Sequence, residues 1–271
     1  MLLGIDKLDG FLPGVRLQNV YAHAHLAALG WVAMMVMGAG YRLIPMILPS
    51  AVPHGRALYA GAVLLEVGVW GLATALMTAS RALPVFALLV VAAFAVFLER
   101  VAWMRRNPRR PPAGRRRPDI AVLHAFQALA YAAAAAGLGL LLAFGAFDPE
   151  SAPRAAAAYG VFGLIGFLAQ MVAGVESRIL PWFAVYHANR AMDGCGPAPD
   201  PDRMPDRRLQ WIGLGGWTGG VPLLAAGMFL ERPDILAAGA ALLLGATAAG
   251  AFNAALILKE MFGPPGPQES G

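Results

Sequence analysis

The stretch YAHAHLAALGWVAMMVMGAGYRLIPMI, residues 21–47, decides the class of fold because Arg42 is its one charged side chain. About 20 predominantly apolar residues in a helix are enough to cross the hydrocarbon core of a bilayer. Six further segments of this kind follow, at 56–79, 82–104, 119–146, 155–188, 208–230 and 234–261. The sequence therefore predicts seven transmembrane segments.

Composition supports the same interpretation. The chain has 271 residues, of which 58% are hydrophobic and 14% charged, whereas charged residues make up about a quarter of a soluble domain. Barrel strands are alternating segments of about ten residues, and a lipid environment otherwise requires helices. We therefore expect an all-α, polytopic membrane helix bundle that forms one domain over 1–271 and contacts the lipid bilayer.

The loops predict the orientation. The arginine-rich link MRRNPRRPPAGRRRP, residues 104–118, joins the third and fourth segments, and short loops of this kind stay in the cytoplasm. The N-terminus, with an amphipathic lead-in over 1–20, is then outside, and the tail 262–271 is inside. The expected location is a bacterial cytoplasmic membrane. The net charge of +5 is concentrated between apolar segments, which favours a membrane protein over a nucleic-acid-binding one.

Two segments of the chain resemble each other. GWVAMMVMGAGYRLIPM starts at Gly30 and GFLAQMVAGVESRILPW at Gly166, an offset of 136 residues. Identical residues at this offset are Gly30 and Gly166, Ala33 and Ala169, Met35 and Met171, Val36 and Val172, Gly38 and Gly174, Arg42 and Arg178, and Pro45 and Pro181. Both segments run from outside to inside, which predicts a parallel repeat. The first four-helix copy covers 21–146, and the second, over 155–261, stops after three helices.

His23 and His25 lie at the outer end of the first segment. Two residues correspond to about 200° on a helix, so the two imidazoles point to different faces. Imidazole suits both haem iron and copper, but wet interfacial histidines need no ligand. Met77 and Met228, near the outer ends of the second and sixth segments, are candidate sulfur ligands, although membrane methionines also serve as packing.

The inner half offers a second set of candidates. His124 and His187 lie towards the cytoplasmic side and are candidates for a second haem site. Arg42 and Arg178 occupy equivalent repeat positions near the inner interface. They either snorkel to headgroups or form an anion site for haem propionates, a quinone head or a phosphate.

Glu66 lies near the middle of the second segment, where an ionisable side chain is energetically costly and therefore a functional candidate. It is a candidate proton relay, a polar partner for Gln170 or Gln127, or a helix–helix hydrogen-bonding group. The chain contains no phosphate loop, dinucleotide fingerprint, nucleophile triad or HExxH motif, so hydrolysis and soluble-cofactor redox chemistry have no support.

The stretch AHAHLAALGWVAMMVMGAGYRLIPMILP resembles the haem-ligand helix of the haem–copper oxidase subunit I superfamily. It looks closest to the short oxidase-like proteins allied to the cbb-type subunit and to the nitric-oxide-response haem–copper membrane proteins. GVESRILPWFAVYHANR is similar to a later helix of that group. The resemblance implies an axial-ligand role for His25 or His23, with haem b and, in addition, copper as the cofactors.

The departures from that family limit what carries over. The family has more helices than this chain, and the outer half of the fifth segment, AAAAYGVFGLIGF, has no histidine where the family places a copper ligand. A complete oxygen reductase is therefore not expected. The resemblance implies a haem protein that transfers electrons or handles or senses a diatomic gas such as nitric oxide.

Two other classes of function remain open. One is a non-catalytic membrane subunit of a respiratory complex, which fits the missing helices. The other is a transporter of a small solute or metal that uses Glu66 and the repeat. A second copy of the chain, a respiratory-complex partner or a quinone are the partners that these hypotheses involve. Bound cofactor and co-purifying proteins distinguish the three.

Overall fold

The computed structural model describes residues 15–110, 118–191 and 200–262, and this part of the chain is helical throughout apart from its turns and loops. We number the seven long helices α1 to α7 in chain order. Their bounds are Arg16–Ile47, Arg56–Met77, Leu83–Arg106, Ile120–Ala143, Ser151–Ala191, Arg207–Phe229 and Pro233–Phe262.

Each of these helices is long and apolar enough to cross a membrane, which confirms the seven predicted segments and indicates an integral membrane protein. The bounds differ from the predicted ones by a few residues, and the largest difference is at the start of α1. Residues 16–20, predicted as part of the lead-in, already belong to α1, and residues 1–14 lie outside the described residues. The orientation and the internal repeat stay predictions.

The chain forms two compact units. In the described residues, the first contains 15–110 and 129–168, and the second contains 118–128, 169–191 and 200–262. Helices α4 and α5 therefore contribute residues to both. These units do not coincide with the two predicted repeat copies, which begin at residues 21 and 155.

In the first unit, α2 and α3 pack closely because α2 carries glycines where they meet. A Cβ atom added at Gly68 would lie 2.9 Å from the backbone nitrogen of Val90, so only glycine fits there. Phe97 on α3 is fully buried and packs edge-on against Tyr41 of α1, with ring centroids 5.4 Å apart. Small residues that let helices approach each other are typical of membrane interfaces.

The second unit uses the same device between α6 and α7. A Cβ atom at Gly227 would lie 2.5 Å from the backbone nitrogen of Leu236, and one at Gly239 would lie 2.4 Å from that of Leu224. Asp206 caps α6, because its carboxylate accepts hydrogen bonds from the backbone N–H groups of Arg208 and Leu209. These contacts fix α6 and α7 as an antiparallel pair.

Helices α1 and α5 each contain a π-helical stretch, at Leu26–Ala33 and Val161–Ala169. The offset of 136 residues takes residues 26–33 to 162–169, so the two stretches fall at equivalent sequence positions. π-helical turns are rare and often occur at functional sites. The sequence did not predict them, because no residue type marks a π-turn.

The loop before α5 is ordered by Asp148. Its carboxylate accepts hydrogen bonds from the backbone N–H groups of Ser151 and Glu150, at 2.8 and 3.0 Å. The backbone and side-chain hydrogen bonds from Ser151 lower the pKa of Asp148. A carboxylate at this position also suits the positive end of the helix dipole.

Candidate functional site: an apolar cavity beside His25

The first unit contains a cavity of about 440 Å³, within the range of roughly 300–1,000 Å³ that is usual for ligand pockets. All five of its helices contribute to the wall. Alanine, glycine and leucine make up most of the lining, and the described lining residues carry no formal charge. We call this space the His25 cavity, because His25 is the histidine in its wall.

The His25 ring is held at both nitrogens. Its Nδ1 lies 2.7 Å from the backbone carbonyl oxygen of Tyr21, one turn earlier in α1. A carbonyl only accepts, so Nδ1 carries the proton and donates it. The Nε2 atom is then left with its lone pair, and it lies 3.2 Å from the hydroxyl of Tyr159, which donates to it.

Tyr159 also packs against the imidazole. The two rings are stacked, with centroids 5.7 Å apart and planes 14° apart. Tyr159 lies beside Gly139 of α4, where a Cβ atom would come within 3.0 Å of the phenol ring. Phe94 and Phe167 form an edge-to-face pair elsewhere in the wall, with centroids 5.6 Å apart.

The structure separates the two outer histidines. His25 is half-buried and lines the cavity, whereas His23 is exposed and does not line it. Met77, also in the first unit, is half-buried and does not line the cavity either. Met228 is half-buried in α6 of the second unit.

His124 belongs to a different environment, in the second unit. It is 5% exposed, and its Nδ1 lies 3.3 Å from Nε2 of Gln170, which is fully buried. The same amide donates to Oε1 of Gln127 at 2.7 Å. Oε1 of Gln170 is buried and accepts no hydrogen bond from any described residue. We call these three side chains the amide–imidazole cluster.

The cluster is closely packed. A Cβ atom added at Gly174, one turn after Gln170, would lie 2.8 Å from Cβ of His124. His187, the other inner histidine, is exposed near the end of α5. The structure thus gives His124 a closed polar site and His187 a surface position.

The two repeat-related arginines also differ. Arg178 forms an ion pair with Asp202 at 2.5 Å and lies 4.0 Å from Asp119. All three side chains are 13–16% exposed, so acidic groups of the chain already neutralise Arg178. Arg42 is exposed in α1, and neither arginine lines the His25 cavity.

Glu66 is exposed on α2. It lines an open groove with Trp70, Thr74, Thr78, Ser80 and Phe86, among others. The amide partner that the sequence suggested for it, Gln170, is instead hydrogen-bonded to Gln127 and close to His124.

Sequence reasoning missed two features of these sites. Tyr159 lies in the segment that was set aside because it has no histidine, and its one signal is an aromatic residue among alanines. The amide–imidazole cluster joins residues of α4 and α5 that are far apart in sequence. Among the described residues, no three His, Cys, Asp or Glu side chains lie together in a way that could hold a metal ion.

No protein-family model matches the chain, and neither a curated protein nor a solved structure matches it.

Proposed function

We propose that the chain is a membrane haem protein that binds haem b in the His25 cavity and handles or senses a diatomic gas such as nitric oxide. The observation that carries this proposal is the state of His25. Its Nδ1 donates to a backbone carbonyl, and its Nε2 lone pair lies at an apolar cavity. A histidine that ligates a metal typically has its second nitrogen hydrogen-bonded in this way.

The cavity fits the apolar part of a haem. Its walls are uncharged, and small side chains of three helices leave space beside His25. The haem carboxylates require polar groups outside this lining. Arg42 is the arginine of the proposed pair that remains available for that role, because Arg178 is paired with Asp202.

The Tyr159 hydroxyl lies at the same nitrogen that a metal would take. Ligand formation at Nε2 therefore requires this phenol to give up its hydrogen bond, which is worth about 0.5–1.5 kcal/mol net. A haem iron supplies the gas-binding chemistry when it is bound. The residues of this chain would position the group, exclude water and leave an apolar space around it.

A gas-binding role is favoured over electron transfer by the number of ligands. Within the described lining, His25 is the one imidazole, and no methionine accompanies it. A single axial ligand leaves the other face of a haem accessible to a small molecule, whereas haems that only transfer electrons usually have two axial ligands. Copper would need further ligands that this lining does not contain.

The resemblance to the haem–copper oxidase superfamily agrees with this role for the outer histidine pair. The 136-residue offset and the equivalent positions of the two π-helical stretches support the parallel repeat, and the arginine-rich link supports the N-out orientation and a bacterial cytoplasmic membrane. These remain parts of the proposal.

The test is a visible absorption spectrum of the detergent-purified protein supplied with haem, first oxidised and then reduced with dithionite. We expect a Soret band that His25→Ala removes and that the matched variant His23→Ala retains. Carbon monoxide should shift the Soret band of the reduced protein. Absence of any Soret band in haem-replete wild-type protein would refute haem binding, and a haem spectrum that ignores carbon monoxide would instead favour electron transfer.

A further inference from the structure

Glu66 lies at the depth where a bilayer tolerates charge least. Helix α2 has 22 residues, and Glu66 follows its first residue, Arg56, by ten positions. At 1.5 Å of rise per residue, this places it about 15 Å along the helix, halfway across a hydrocarbon core of roughly 30 Å. An ionisable side chain at this depth normally faces the interior of a bundle or a partner.

Within this chain, Glu66 does neither. Its side chain is exposed and has no hydrogen bond to any described residue. The nearby hydroxyls do not compensate it, because Thr74 donates to the carbonyl of Trp70 and Thr78 donates to that of Thr74. A carboxyl group left in this position would face lipid, where nothing can hydrogen-bond to it.

The residues around Glu66 form a continuous exposed seam on α2, consisting of Tyr59, Val63, Glu66 and Trp70. Tyr59, Val63 and Trp70 are 76%, 61% and 62% exposed. Their spacing of four, three and four residues is the one that keeps a line of side chains facing a partner helix in left-handed helix pairs. The seam therefore has the pattern of a helix–helix interface with a polar residue at its centre.

We propose that this seam is the contact between two copies of the chain, with α2 packed against α2 of the second copy and the two Glu66 carboxyl groups hydrogen-bonded to each other. All copies of a membrane protein insert in the same orientation, so a two-fold axis between them runs along the membrane normal. In such an isologous contact, a seam residue meets its own counterpart at the same depth.

This geometry makes the carboxyl group its own complement. A carboxyl both donates and accepts a hydrogen bond when it carries a proton and accepts when it does not, so two facing carboxyl groups that share protons satisfy each other. A partner with an apolar helix would leave Glu66 without a hydrogen bond. A single polar residue in an otherwise apolar seam also fixes the register and the number of helices that associate.

The experiment is cysteine cross-linking in native membranes, with Cys195→Ser as the background because Cys195 is the one cysteine of the chain. We expect Val63→Cys to form a disulfide-linked dimer at least about ten times more efficiently than Leu244→Cys. Leu244 is the matched control, since it is 72% exposed on α7. Equal cross-linking of the two variants would overturn the proposal.

The role of Glu66 is tested in the Val63→Cys background. Glu66→Gln should keep the cross-link, because amides also pair with each other, whereas Glu66→Lys should remove it by repulsion of like charges. Co-expression of differently tagged wild-type and Glu66→Lys chains should restore a mixed dimer. An unchanged cross-link in Glu66→Lys, or capture of a different protein by Val63→Cys, would refute a contact between copies through this carboxyl.

Discussion

His25 and His124 are the same residue type in helices of the same protein, but their surroundings differ in what they leave free. One nitrogen of His25 is fixed by a backbone carbonyl, while the other is next to a cavity of about 440 Å³. His124 is enclosed, with a buried amide at Nδ1 and Gly174 against its Cβ. Orientation by the backbone beside open space suits ligand binding, whereas enclosure by side-chain amides suits interhelical packing.

This difference also explains why burial alone does not identify the site. His124 is the more deeply buried of the two histidines, and its partners are polar. A reader guided by burial would choose it as the ligand. The space next to the ring is the more informative property, because a cofactor needs volume as well as a donor atom.

The largest expected effect comes from exchanging the two histidines as targets of substitution. Loss of a hydrogen-bond partner behind a metal ligand already lowers metal affinity by about 10–100-fold, so His25→Ala, which removes the ligand itself, should lower haem affinity by at least about 100-fold. His124→Ala should leave it nearly unchanged. Haem titration followed by the Soret band measures both, and a loss of haem in His124→Ala alone would reverse the assignment.

The next effect is on stability and concerns the enclosed site. Gln170→Leu removes the amide and leaves Nδ1 of His124 and Oε1 of Gln127 without this donor. An unsatisfied buried polar group costs about 1–3 kcal/mol, and we expect a loss towards the upper end. Unfolding in detergent, followed by circular dichroism, measures it.

The control for this variant is His124→Leu combined with Gln170→Leu. Replacing both partners by apolar side chains avoids one of the unsatisfied groups, so the double variant should be more stable than the sum of the single effects predicts. Strict additivity would contradict a direct interaction between the two side chains.

A smaller effect separates two glycines at equivalent repeat positions. Gly174→Ala places a methyl group against Cβ of His124 and should destabilise the protein by about 1–2 kcal/mol, in the lower part of the range for overpacking. Gly38→Ala meets no atom within 4 Å and should be neutral or slightly stabilising, because alanine favours a helix. Thermal unfolding in detergent compares them, and equal effects would rule out close packing at His124.

The smallest expected effect is at Tyr159. Tyr159→Phe keeps the stacked ring but removes the hydroxyl that donates to Nε2 of His25. Relief of a hydrogen bond worth about 1 kcal/mol should raise haem affinity roughly five-fold. Haem binding that becomes weaker in this variant would mean that the hydroxyl supports the bound state instead of competing with it.

The sequence predicted the seven helices well, because hydrocarbon thickness and backbone hydrogen bonding constrain a membrane chain strongly. The spacing of His23 and His25 predicted that they face different directions. It did not predict which of them meets a cavity, because that depends on how α2 to α5 pack around α1.

Other features depended on contacts that no local pattern reveals. Arg178 and Arg42 occupy equivalent positions in sequence, yet Arg178 pairs with Asp202, a residue in the segment before α6. The partner was missed because ion pairs are formed by tertiary structure. Glu66 was predicted to be functional from its depth alone, and its exposure became visible only once the packing of α2 was known.

The π-helical stretch Leu26–Ala33 has a consequence for comparing this chain with relatives of different length. A π-turn contains more residues than an α-turn, so deletion of one residue there turns the preceding part of α1 by about 100° relative to the rest. Such a deletion would move His25 away from the cavity without changing any side chain. Whether an aligned sequence preserves this site therefore depends on an ungapped segment between His25 and Met34, and not on the presence of the histidine alone.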